Sequence, residues 1–182
     1  MRSSAEYSSI LVESPIAGSR RVALAGMLLV CAVVLGLVES YLLAWAPVPW
    51  LRLGLANIAV LIALSCVGAR YAFAVSMLRV MLVGVATGTL FGPGTLLAVS
   101  GATCAFGAMV IVRAAGPRFS VVGWSVAGAS AHVAGQFAAA AAVTGSIALL
   151  SLAPLSILAS VLLGLATGLV ARSLVSRVST AV

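Results

Sequence analysis

The chain has 182 residues, 63% of them hydrophobic and 7% charged, with a mean hydropathy of +1.27, values that belong to a polytopic membrane protein rather than a soluble domain. Its net charge of +7 comes from ten arginines against three glutamates; because the arginines lie between apolar segments they read as topology signals, and no nucleic-acid partner is expected. Lys and Asp are absent, which excludes a Schiff-base lysine, a P-loop lysine and an Asp-rich motif holding Mg²⁺ against a diphosphate.

Residues 1–21, MRSSAEYSSILVESPIAGSRR, are polar, Ser-rich and without period, and predict a loosely ordered cytoplasmic tail. A transmembrane domain is expected over 22–172, with 173–182 as a short cytoplasmic tail. The first apolar run, Val22 to Ala46, ends in AWA, which looks like a signal-peptide cleavage site. It is too long for an h-region and carries Glu39, so it is expected to remain as the first helix.

Five more runs follow, at Leu51–Ala69, Ala72–Leu90, Thr95–Val112, Gly123–Val143 and Leu155–Ala171, each near the span a bilayer demands. Turn chemistry separates them: Pro47 and Pro49, GPG at 92–94, GPR at 116–118, TGS at 144–146 and Pro154. The expected fold is an all-α integral membrane protein of six transmembrane helices. Cys31, Cys66 and Cys104 fall singly in separate apolar runs without CxxC spacing, and read as small core residues rather than metal ligands or a disulfide. No metal site and no cofactor is expected.

Arginine placement sets the orientation. Arg2, Arg20, Arg21, Arg70, Arg113, Arg118, Arg172 and Arg177 share one side if both termini are cytoplasmic, and only Arg52 opposes them. The connections at 46–51, 91–94 and 144–154 then face outward, and Tyr41, Trp45 and Trp50 flank the first of them, at the interface where amphipathic rings settle.

Three ionisable side chains remain inside the spans, Glu39, Arg79 and His132, and each costs several kcal/mol unless paired or wetted. At about 1.5 Å of rise per residue, Glu39 and Asn57 lie roughly 10 Å below the outer surface, with Arg79, His132 and Gln136 near the midplane. Ser125, Gly128, Ala129, His132, Gly135 and Gln136 share a small, polar stripe from which Val133 is excluded, and Ser76 shares a face with Arg79. Glu39, Asn57, Arg79, His132 and Gln136 are therefore the candidate binding residues, around a cavity open to the outer side. The competing reading is structural: His132 and Gln136 as interhelical glue, and Arg79 with Glu39 as a buried pair. Ala32, Gly36 and Ser40 recur every four residues, as do Gly164 and Gly168. Such spacing permits close approach within the chain or to a partner, and the first set is the candidate docking seam.

The run VES at 38–40, P-x-P at 47–49, RLGLANI at 52–58, RV at 79–80, GT at 88–89 and SVAGASAHVAGQ at 125–136 together resemble the Gx transporter family, often labelled heptaprenyl diphosphate synthase component I and grouped with the substrate-binding S components of energy-coupling-factor (ECF) importers. The resemblance covers about residues 22–171, and LGLANI is its most distinctive element. It implies an ECF S-component-like bundle in the bacterial plasma membrane. Such a subunit binds a small molecule, vitamin-like or quinone-related, from outside and docks on a coupling subunit with ATPases in trans. The chain departs from the family pattern at Arg52, where Lys is usual, and at Val133, where Asn is usual. Two other functions are set beside this one: an accessory membrane component of isoprenoid or quinone metabolism, not itself an enzyme, and a small autonomous carrier with Glu39 and His132 as its titrating groups.

Overall fold

The computed structural model describes residues 15–43, 54–116 and 118–181. The described residues form six α-helices: α1 Pro15–Leu43, α2 Leu55–Cys66, α3 Ala69–Ala86, α4 Pro93–Ala114, α5 Val121–Thr144 and α6 Ala153–Ala181. A 3₁₀ turn at Ile147–Leu152 leads into α6. Five stretches, Gly18–Leu42, Ala69–Ala86, Pro93–Ala114, Val121–Thr144 and Ile147–Arg177, are long and apolar enough to cross a membrane, and the chain is a multi-pass helical membrane protein.

The helix surfaces fit lipid as the solvent. Large apolar side chains point outward, among them Met27, Val30 and Val34 on α1 and Leu155, Leu158 and Leu162 on α6, while buried positions include Glu39, Asn57, Ser76, Thr95, Ser125, Ser156, Ser160 and Thr167. A water-soluble bundle reverses that distribution; in hydrocarbon the polar groups turn inward because they have no partner outside. Cys31 and Cys104, expected in the core, are exposed, and Cys66 is half-buried. In lipid a thiol on an outward face pays no penalty, so the hydrophobic pattern does not separate the two positions.

α1 packs on α2 and α3, α3 on α4, α4 on α5, and α5 on α6; α2 also touches α3, α5 and α6. That places α2 at the centre. Every residue from Ala56 to Leu64 is buried, and these residues meet Ala25, Leu28 and Ala32 of α1, Ala105 and Met109 of α4 and Ala171 of α6 in one core cluster. With 12 residues, α2 is only about 18 Å long, short of the ~30 Å hydrocarbon layer, and shorter than the expected span at 51–69. Its C-terminus is set by Gly68 at φ +120°, a conformation that favours glycine. The Gly68 amide donates to Ala63 O and its carbonyl accepts from Ala72 N, so one residue ends α2 and starts α3.

The outer helices run longer than expected. α1 begins at Pro15, where a missing N–H is harmless in a first turn, so residues 15–21 are helix rather than tail. α6 continues through 173–181 because nothing after Gly168 breaks it. Pro47, Pro49, Trp45, Trp50, Arg52, Arg2 and Pro117 lie outside the described residues.

Glycines join the helices, as expected where apolar surface alone gives no drive to associate. A Cβ at Gly164 would stand 3.0 Å from Val126 Cα and Ala129 Cβ, and one at Gly168 would stand 2.9 Å from Val122 Cα and Ser125 Cβ, so this pair seats α6 on α5 within the chain. Across the other face of α5, Gly128 meets Met109 and Gly135 meets Cys104 of α4.

Candidate functional site

Glu39 is fixed by the backbone of α2. Its Oε1 accepts from Gly54 N and its Oε2 from Leu55 N, each at 3.1 Å, and the residue is 5% exposed. The chain enters α2 with Gly54 at φ +71° and without a side-chain cap of its own. A carboxylate from α1 therefore satisfies amides that the helix start leaves open, and its charge sits at the positive end of the helix dipole. The opposite end of α2 receives a cation: an Arg113 guanidinium nitrogen donates to Leu64 O, and its Cζ lies 5.6 Å from the centre of the Trp124 ring.

Above the α2 start, the six helices enclose an open cavity of about 1100 Å³. Its wall takes Glu39 from α1, Asn57 from α2, Arg79 and Val83 from α3, Thr95 from α4, His132 and Val133 from α5, and Ser160, Leu163 and Thr167 from α6. Four of the five binding candidates, Glu39, Asn57, Arg79 and His132, thus border one space. Gln136 does not line it. Its Cγ lies 2.8 Å from where a Gly101 Cβ would stand, and His132 Cε1 and Nε2 lie 3.0 Å from the same point, so both side chains cross Gly101 on α4.

Two sequence expectations are corrected here. The seam of Ala32, Gly36 and Ser40 turns inward: Ala32 is fully buried in the core, a Cβ on Gly36 would stand 3.1 Å from Val83 Cγ2 and 3.9 Å from Ala56 Cβ, and Gly36 and Ser40 line the cavity. Small residues mark close approach, and spacing alone does not say to which neighbour. Val133, excluded from the polar stripe, is buried and forms part of the wall, because it follows Ala129, also on the wall, by one helical turn.

Apart from Ser125, placed in the polar stripe, sequence reasoning gave these hydroxyls no role. Ser125 Oγ and Thr167 Oγ1 meet at 3.1 Å between α5 and α6. At the turn after α3, Gly88 N donates to Val85 O and Thr89 N to Gly84 O, the paired bonds of a Schellman end with Gly88 at φ +68°. Thr95 Oγ1 donates to Thr89 O at 2.8 Å, and Thr87 and Thr89 hydroxyls meet at 2.8 Å. This clasp holds Thr87, Thr89 and Leu90 on the cavity wall. The GTLFGPGT run at 88–95 was the available signal, since hydroxyls flanking glycines at a turn find backbone partners.

A multi-pass bundle with a largely apolar cavity bordered by a few polar side chains is the class of protein that the geometry defines. The family model described as heptaprenyl diphosphate synthase component I matches residues 28–174, and the chain belongs to that family. No curated protein and no solved structure matches it.

Proposed function

We propose that this chain is the membrane-embedded substrate-binding subunit of an importer in the bacterial plasma membrane. It takes a small molecule into the cavity from the outer side and delivers it with a separate energising module, a coupling subunit with ATPases. The observation that carries this reading is the convergence of Glu39, Asn57, Arg79 and His132 on one cavity built by all six helices. The space that these side chains border, about 1100 Å³, is room for a ligand of vitamin size. Energy has to come from a partner, because a chain without lysine has no P-loop lysine for ATP.

The proposed topology is six spans with both termini inside, α2 crossing as a short, wholly enclosed segment. The family description favours a second reading, an accessory membrane component of isoprenoid or quinone metabolism. Metal-assisted prenyl transfer calls for several carboxylates, and among the described residues Glu39 is the one glutamate bordering the cavity, so on that reading the chain is taken as an accessory component.

Native mass spectrometry of the detergent-purified chain tests the proposal. A co-purifying small molecule, retained by the wild type and released by Arg79→Ala with the helical signal intact, is the expected result. Retention of the same molecule by Arg79→Ala and His132→Ala alike would reduce the polar cluster to packing.

A further inference from the structure

The cavity wall leaves one buried polar side chain to whatever enters. Among the described residues, Glu39, Asn57, Thr95, Ser160 and Thr167 are the buried polar side chains on that wall. All but Asn57 are answered by the fold. Both Glu39 oxygens accept from amides at the start of α2, and the hydroxyls of Thr95, Ser160 and Thr167 each donate to a backbone carbonyl. Arg79 and His132, half-buried on the same wall, also have interactions within the chain. The Asn57 backbone N–H donates to Gly54 O, but its side-chain amide makes no hydrogen bond with any described residue, although the residue is only 8% exposed. Its remaining accessibility opens on the cavity. Water answers such a group while the space is open, and a ligand that displaces the water loses affinity for each bond it does not reproduce.

Resting on the binding-subunit reading, we infer that Asn57 recognises a neutral amide-type edge on the ligand, an N–H donor beside a C=O acceptor as in a lactam, imide or urea, set on an apolar body. The asparagine amide carries the same pair, an acceptor oxygen and a donor nitrogen, so the two edges meet in two parallel hydrogen bonds. Turning the amide over exchanges its two atoms, and either order of the ligand edge is matched. A quinone offers acceptors alone and leaves the Asn57 carbonyl without a donor. The amide is also held in place before a ligand arrives: Asn57 lies in the first turn of α2, within the wholly buried stretch Ala56–Leu64, and Glu39 fixes the start of that helix. A recognition group on so enclosed an element loses little freedom on binding. Val80, Val83 and Leu163 border the same space and face the apolar body.

Three probes with one tricyclic body and different edges make the comparison. Phenanthridinone is a lactam with donor and acceptor side by side, its N-methyl derivative keeps the carbonyl and loses the donor, and phenanthridine has a ring nitrogen acceptor alone and controls for the bulk of the methyl group. Saturable binding to the full chain in nanodiscs is measured, with empty discs of the same lipid subtracted. Phenanthridinone is expected to bind about ten-fold more tightly than either of the others, the gain of one to two net hydrogen bonds. Asn57→Leu keeps the size of the side chain and removes both polar groups, so the ratio between phenanthridinone and its N-methyl derivative should collapse to about one. A general loosening of the cavity would weaken all three probes and leave that ratio in place, and the wild-type ranking stands even if Asn57→Leu fails to fold. Equal binding of the three by the wild type, or a ratio that survives Asn57→Leu, would overturn the recognition by Asn57 and leave the binding reading in place. No saturable binding by any of the three would overturn it as well, and the binding reading then rests on whether a small molecule co-purifies with the chain.

Discussion

Glu39 and Arg113 close opposite ends of the same helix. The carboxylate takes the amides of Gly54 and Leu55, and the guanidinium takes the carbonyl of Leu64, so the negative charge sits at the positive pole of α2 and the positive charge at its negative pole. A 12-residue helix enclosed in a membrane bundle takes both caps from other helices, α1 and α4. The residue that borders the ligand cavity is therefore also part of the scaffold.

Removing these caps has a predictable cost. Glu39→Ala removes the charged acceptor from two half-buried amides and should destabilise the chain by about 1–2 kcal/mol, Glu39→Gln by less because one acceptor remains. Arg113→Met forfeits the Leu64 bond and the stacking on Trp124, together about 1–2 kcal/mol. The two ends lie about 18 Å apart, so the double variant should be additive. Unfolding in detergent followed by circular dichroism measures all three. A Glu39→Ala protein as stable as the wild type would show that the cap contributes nothing.

Gly164 of α6 and Gly36 of α1 should respond differently from one another. Leu at Gly164 begins 3.0 Å from the Val126 backbone, and a backbone cannot turn aside, so Gly164→Leu should prevent α6 from seating and abolish folded protein. Gly36→Leu begins 3.1 Å from a Val83 methyl at the cavity wall. It should fold with modest loss and fill part of the cavity, weakening ligand retention. Yield of monodisperse protein separates the first, native mass spectrometry the second. Normal ligand retention with failed transport would return Gly36 to a docking face.

Much of the architecture was legible in the sequence because lipid imposes it: the apolar runs and the turns at 92–94 and 144–146 fall near helix ends. Helix extents were not, because Pro15 and Ala181 lie in polar sequence that the bilayer does not constrain. Nor was the central place of α2. Its run looks like any other span until Gly54 and Gly68 are given their positive φ angles. At the site, charge inside an apolar run pointed to Glu39, Arg79 and His132, whereas the direction of small residues such as Ala32 and Gly36 depends on which helix lies opposite, which no single sequence reports.

Orientation is checked by single cysteines at 48 and 116 in a cysteine-free background. With eight arginines on one side against Arg52 on the other, an impermeant maleimide applied to intact cells should label 48 and spare 116, with 116 reacting only after permeabilisation. The opposite pattern would invert the protein and place the Thr87–Gly92 turn inside.

That turn supplies the last prediction. Thr95 is 8% exposed, its hydroxyl donates to Thr89 O, and it lies 3.2 Å from the point a Gly84 Cβ would occupy, so α3, the turn and α4 meet at one atom. Thr95→Val keeps the shape and removes the bond that ties α4 to the turn, leaving Thr89 O with the Gly92 amide as its donor. About 1 kcal/mol of stability should go. Gly88→Ala acts on the backbone instead, forcing a side chain into the left-handed region at φ +68° for about 1–2 kcal/mol. Both changes loosen the wall without touching Arg79, so retention of a co-purifying small molecule should weaken in both. Hydrogen exchange at Thr89 and Leu90, read by mass spectrometry, should rise in both variants. Weakened retention in Thr95→Val with no rise in exchange would mean that Thr95 contacts the bound molecule itself, and the clasp would then be part of the recognition site.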